Sequence, residues 1–177
     1  MSNERDVGNV SRVARGDERA ADIAFDPGAH RPHAPRPFSA FRVGETFHIP
    51  SRTVTSAHFA AFQMASGDNH PIHYDVEHCR RHGHPGLLAH GFQVLIQSCA
   101  GACALAFVME DDLVGFLEQS SQFLKPVYEG DTLYPRLTIA DVIPQRTTGV
   151  LGVASVIHNQ RGEVVMRGTQ RYLMRLR

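Results

Sequence analysis

The chain is short of several things that would have pointed elsewhere. Its three cysteines, Cys79, Cys99 and Cys103, are an odd and sparse set that excludes a disulfide scaffold and reads as reduced thiols. It has no excess of charge. Lys+Arg and Asp+Glu both total 18 in 177 residues, so no basic surface is offered to phosphates and nucleic acid is not an expected partner. No apolar targeting segment follows Met1, and the early arginines alternate with Glu4, Asp6, Asp17, Glu18, Asp22 and Asp26, unlike a transit peptide, so a cytoplasmic location is expected. The most apolar run, Leu87 to Met109, is long enough to span a bilayer. It carries His90, Gln93, Gln97 and Ser98, which are costly in hydrocarbon, so it reads as a buried helix and no membrane partner is expected.

What the chain does have is histidine, concentrated in one place: seven of its eleven (His58, His70, His73, His78, His82, His84, His90) fall between positions 58 and 90. Around that cluster the pattern gives a single domain. Residues 1–37 lack apolar periodicity and close with Pro27, Pro32, Pro35 and Pro37, so they read as a flexible N-terminal leader with at most a weak helix at Arg19 to Phe25. Residues 38–177 hold the domain. Strand character from Phe47 to Thr55, interrupted at Pro50, leads to a helix that starts at Thr55 or Ser56 and ends at Ser66, with Gly67 suited to close it. A short helix at Val76 to Arg81 lies in the loop that follows.

Phe92, Leu95, Ile96, Cys99, Cys103 and Ala106 then repeat at helical spacing, with Ala100, Gly101, Ala102 and Ala104 on other faces. This predicts one long central helix, starting at His90-Gly91, that a sheet can wrap closely. Four strands follow, at Val114 to Pro126, Thr132 to Val142, Gly149 to His158 and Val164 to Leu176, separated by hairpin signals. The expected fold is α+β, a long central helix wrapped by a curled antiparallel sheet, whose open edges favour pairing between subunits.

The chemistry-bearing block is Ser66-Gly67-Asp68-Asn69-His70-Pro71-Ile72-His73. It places a carboxylate and an imidazole five residues apart on a Pro-stiffened turn, a combination that can hold one water molecule and move its proton. At His90-Gly91 a helix start offers unpaired N–H groups, and a glycine lets a carbonyl oxygen approach closely as negative charge develops on it.

These residues, with Leu88-Ala89-His90-Gly91 and Phe123-Leu124-Lys125-Pro126-Val127-Tyr128-Glu129-Gly130-Asp131-Thr132-Leu133 in the same order, resemble the MaoC-like (R)-specific enoyl-CoA hydratases over about residues 40 to 177. The resemblance implies a hot-dog fold and a homodimer or higher homo-oligomer. It also implies reversible hydration of a trans-2-enoyl thioester, or dehydration of the 3-hydroxyacyl product, on coenzyme A or acyl carrier protein. No cofactor is implied, coenzyme A being part of the substrate. Asp68 and His73 match the water-activating pair, and Gly91 matches the N–H donor to the thioester carbonyl. Asn69, His70, His90 and Ser98 are candidates to support these three. A serine used by some members falls at Cys99 here. The family's Gly-Asp-x-Asn-Pro-Ile-His differs at one place, because His70 stands where asparagine is usual; an imidazole can replace one amide donor.

Other readings apply to the same residues. Hot-dog folds also host acyl-thioester hydrolysis, and a catalytically silent acyl-CoA-binding subunit would keep the fold without turnover. His78, His82 and His84 with Cys79 have ligand chemistry, but no carboxylate stands at a diagnostic spacing and no metal is expected. The three histidines, with Arg80 and Arg81, read as a polar, partly solvated rim, and His58 as a surface or rim residue. Arg80, Arg81, Lys125 and Arg136 are scattered enough to be a solvated face.

Overall fold

The computed structural model describes residues 25–177; the helix expected at Arg19 to Phe25 lies outside the described residues except for Phe25. The described residues divide into two units, 25–31 and Pro32–Arg177. In the first, Asp26 Oδ1 accepts the Gly28 N–H at 2.8 Å and caps a single 3-10 turn, Pro27–Ala29. The second unit begins inside the stretch read as leader: the Arg36 N–H donates to the Val108 carbonyl at 2.7 Å, and its guanidinium lies over the ring of Phe41 and pairs with Glu45.

In order, the elements are β1 (Thr46–His48), β2 (Arg52–Thr53), α1 (Ser56–Ser66), α2 (Pro71–Tyr74), α3 (Val76–Arg81), α4 (Gly91–Leu95), α5 (Ala104–Met109), β3 (Leu113–Phe123), β4 (Thr132–Pro144), β5 (Thr148–Asn159) and β6 (Val164–Arg175). The strands form one antiparallel sheet in the order β1-β4-β5-β6-β3, with β2 also on β4. The fold is α+β as expected, and among the described residues β3 is left as an unpaired edge. β5, at the centre, is buried along nearly all its length.

Two apolar clusters anchor the helical layer on the sheet. One gathers Phe41, Leu105, Met109, Leu137, Leu151 and Met174; the other gathers Val54, Phe59, Ala89, Val94, Ile157 and Met166. The second fixes α1, the segment before α4 and α4 itself, and so carries the histidine-rich region. Between the clusters lie buried polar groups, of which Gln170 reaches furthest: its Nε2 donates to the Ser98 carbonyl at 2.9 Å, and its Oε1 accepts from Tyr172 Oη at 2.7 Å.

The expected long central helix is not continuous. α4 passes into a 3-10 turn at Ile96–Ser98, Cys99 is extended, a second 3-10 turn covers Ala100–Ala102, and Cys103 is again extended before α5. The cause lies in the acceptors. The Ser98 carbonyl, which a continuous helix would give to Ala102, is taken by Gln170 from β6, and the Ser98 hydroxyl donates to the Leu95 carbonyl at 2.8 Å. Gly101 adds its usual helical cost of about 1 kcal/mol. Phe92 and Ile96 are 62% and 50% exposed in the single chain instead of buried. No helix among the described residues is long and apolar enough to cross a membrane.

Candidate functional site

The site is assembled by two short chain reversals. At the end of α1, Gly67 takes the left-handed conformation (φ 70°) and turns the chain, and Ser66 Oγ donates to the Phe62 carbonyl while accepting the Asp68 N–H. Asp68 Oδ1 accepts the His70 N–H at 2.8 Å, which aims the carboxylate. His70 then caps α2: its Nδ1 accepts the Ile72 N–H at 3.3 Å, and Pro71 sits at the first helical position, where a missing N–H costs nothing.

On α2, buried His73 donates its Nδ1–H to the Leu88 carbonyl at 2.6 Å. A carbonyl only accepts, so Nδ1 carries a proton, and in the neutral ring Nε2 holds the lone pair. The segment before α4 is pinned by the Leu88 N–H on the Ile72 carbonyl and the Ala89 N–H on the Val127 carbonyl. His90 follows as the cap of α4, with Nδ1 accepting the Phe92 N–H at 3.0 Å and Gln93 Oε1 accepting the His90 N–H at 3.3 Å. Gly91, between them, has an N–H with no acceptor among the described residues.

Asp68, His73 and His90 therefore meet. His90 Nε2 lies 3.2 Å from Asp68 Oδ2, and the His73 and His90 ring centres are 5.1 Å apart. Asp68 is held below the ordinary carboxylate range, first by the His70 N–H, against burial, and then by the neighbouring imidazoles. It is the ionised partner at neutral pH. Tyr74 is raised, by burial and by the Asp68 charge.

These three residues each bring a possible ligand atom within 4.8 Å of the others. They do not fit a cation while α4 is capped. The Phe92 N–H needs the Nδ1 lone pair of His90, so His90 Nε2 carries a proton and has no pair to give.

The remaining candidates lie around this centre. Asn69 is turned back onto α1, bonding Gln63 and the Gly67 carbonyl. His70 stands edge-on to His73 and to His78, at 6.2 and 5.8 Å, and His78 stacks on His82 at 4.2 Å, forming an imidazole rim. Burial, His82 and His70 keep His78 below its usual range. Ser98 is fully buried, with Leu95 and Gln170 as its partners and none of the three central residues. Phe62, which stacks against His90 at 5.1 Å, and the His90–Asp68 bond are the parts that sequence reasoning missed. Phe62 is one apolar side chain among several in α1, and no local signal joins positions 68 and 90.

Gly91 opens onto a cavity of about 380 Å³ lined also by Leu88, Val94, Phe123 and Lys125. A second cavity, of about 410 Å³, lies at the helix breaks, lined by Leu95, Cys99, Gly101, Phe116, Gln119 and Tyr172.

Residues 39–160 match the model of the MaoC like domain family. The chain is 28% identical over 129 residues to YdeM of Bacillus subtilis, an uncharacterized protein, covering 72% of this chain and 91% of that one. Among solved structures it is similar to the monoamine oxidase regulatory protein from Archaeoglobus fulgidus, at 25% identity with a TM-score of 0.72, covering 83% of this chain and 99% of that one. It is also similar in fold to the R-hydratase PhaJ1 from Pseudomonas aeruginosa, at 22% identity with a TM-score of 0.67, covering 80% of this chain and 86% of that one.

Proposed function

Because the chain belongs to the MaoC-like domain family, with its hot-dog fold, we propose that it is a hydro-lyase that converts a trans-2-enoyl thioester and water into a 3-hydroxyacyl thioester, and the reverse. One observation carries this reading: an Asp68 carboxylate oxygen and a His73 ring nitrogen lie within 4.8 Å of one another, and the His73 ring is bonded to Leu88 in the segment that leads to the free Gly91 N–H. The hydratase named among the structural neighbours is consistent with it.

In the forward direction the carboxylate and the imidazole hold a water between them. Its oxygen bonds to C3 as one proton passes to the Asp68–His73 pair, and the electrons of the C2–C3 double bond move to the thioester oxygen as an enolate. The Gly91 N–H holds that oxygen, a contact worth about 3 to 4 kcal/mol in such sites. The proton is then delivered to C2 and the pair is restored. No electron enters or leaves, so the cycle needs no redox cofactor; coenzyme A, or an acyl carrier protein, arrives with the substrate. We take the active form to be a homodimer joined along β3, whose unpaired edge exposes Val114, Phe116, Leu117 and Phe123.

Purified protein is expected to hydrate crotonyl-CoA, seen as loss of the enoyl absorbance without release of free thiol. Asp68→Asn and His73→Gln are each expected to lower kcat by about 10²- to 10⁴-fold. Thiol release would favour hydrolysis instead, and binding without turnover would favour a silent subunit.

A further inference from the structure

We infer that His90 is the positioning residue for Asp68, orienting the carboxylate through Nε2–H while its other ring nitrogen caps α4. The two bonds fix one another. The Phe92 N–H can only donate, so His90 Nδ1 must accept and the ring proton must sit on Nε2. A proton on Nε2 meets Asp68 Oδ2 at 3.2 Å, and a carboxylate oxygen can only accept. A single neutral tautomer satisfies both partners. A doubly protonated ring would set a second donor against the Phe92 N–H, so the imidazole does this work uncharged.

The ring has little freedom to turn away. Phe62 of α1 lies 5.1 Å from it at 30°, Phe92 at 5.3 Å and His73 at 5.1 Å. With Oδ1 held by the His70 N–H and Oδ2 by His90, both carboxylate oxygens are tied by donors from different segments and the carboxylate plane is set before substrate arrives. That is the geometric requirement for a water shared with His73. His90 does not need to touch the reacting atoms to fulfil it.

The catalytic part of this inference rests on the hydration reading; the bond itself does not. Two variants separate the functions of the ring. His90→Asn keeps an acceptor where Nδ1 stands and is a good helix cap, but its short amide does not reach Asp68. His90→Gln extends an N–H to where Nε2 stands and gives up the cap. The titratable groups facing Asp68 are His70, His73, Tyr74 and His90, and the first three are unchanged in both variants.

The direct test is the titration of the Asp68 carboxyl by ¹³C NMR in the full-length protein. Removing a donor to the ionised form raises a carboxyl midpoint, so His90→Asn is expected to move Asp68 up by about half a unit to one unit. His90→Gln should bring it back toward wild type even though α4 is uncapped and the melting temperature is lower. In turnover, His90→Asn is expected to lower kcat by about 10- to 100-fold with little change in KM, and to move the acid limb of the rate profile upward. An unmoved Asp68 midpoint in His90→Asn, or a midpoint in His90→Gln no lower than in His90→Asn, overturns the inference, because a purely structural role would change stability alone. If the wild-type protein hydrates no enoyl thioester, the hydration reading fails while the titration still decides the role of His90.

Discussion

The edge of the Phe123 ring lies 3.1 Å from where a Cβ on Gly91 would stand. The residue that offers its free N–H is therefore a glycine for reasons of space on the sheet side, since any side chain must push Phe123 along β3. Gly91→Ala is expected to lower kcat/KM by about tenfold or more, the cost of a small misplacement near the reacting carbonyl. Trimming the neighbour in Gly91→Ala/Phe123→Leu should recover part of the loss. Strictly additive effects in the double variant would show that the two positions do not share this space.

Acid stability should depend on the β5–β6 turn. Glu163 is held down to about 2, first by the Asn159 side-chain amide, then by the Arg161 guanidinium, with Lys125 contributing charge. Its ordinary value is 4.5, so the folded form binds the proton less readily than the unfolded one. Its contribution is complete above about 4.5 and is lost as the pH falls toward about 2. Denaturant unfolding across that window should lose stability on acidification, and Glu163→Gln should flatten the loss. An unchanged slope in the variant would assign the acid sensitivity to other carboxylates.

The junction of β3, β5 and β6 is packed without room to spare at Gly168. A Cβ there would strike the Ser120 carbonyl oxygen and lie 3.0 Å from Ser121 Oγ, so Gly168→Ala is expected to destabilise by about 2 kcal/mol or more. Its neighbour across the ladder behaves oppositely. Ser155 Oγ is buried without a partner among the described residues, and Ser155→Ala should be neutral or stabilising by up to about 1 kcal/mol. Thermal and denaturant melts of the two variants check both signs.

Oligomeric state follows the exposed edge. The wild-type protein is expected to sediment as a dimer, and Leu117→Lys on β3 should shift it to monomer with the sheet otherwise intact by circular dichroism. A wild-type monomer at micromolar concentration would remove the dimer from the proposal.

Much of this architecture was legible from local signals. The short helix α3 lies at the expected Val76–Arg81, and the run of four strands followed from strand composition and turn signals that act within a few residues. The interruption of the central helix was not. Apolar spacing persists from Phe92 to Ala106 whether or not the backbone is helical at Cys99, and the competing donor, Gln170, comes from β6, 72 residues beyond Ser98. The site divides in the same way. Asp68 and His73 share one turn and could be paired by spacing, and Gly91 was marked by the helix start. The tie from His90 to Asp68 depends on two loops brought together by Phe59, Ala89 and Val94, which no short-range pattern encodes.

The segmented run between Gly91 and Met109 has a consequence for redesign. In an unbroken helix, one inserted or deleted residue rotates everything beyond it by about 100°, so the cavity and the reacting groups could not vary independently. Here the extended residues Cys99 and Cys103 interrupt the helical register, so such a change need not rotate what lies beyond them. Residues 97–102 can lengthen, shorten or exchange side chains and so reshape the cavity at Cys99 and Gly101, while Gly91, Asp68 and His73 keep their register. The breaks make chamber size and reaction geometry separately adjustable, which makes this segment the place to begin directed changes in ligand preference.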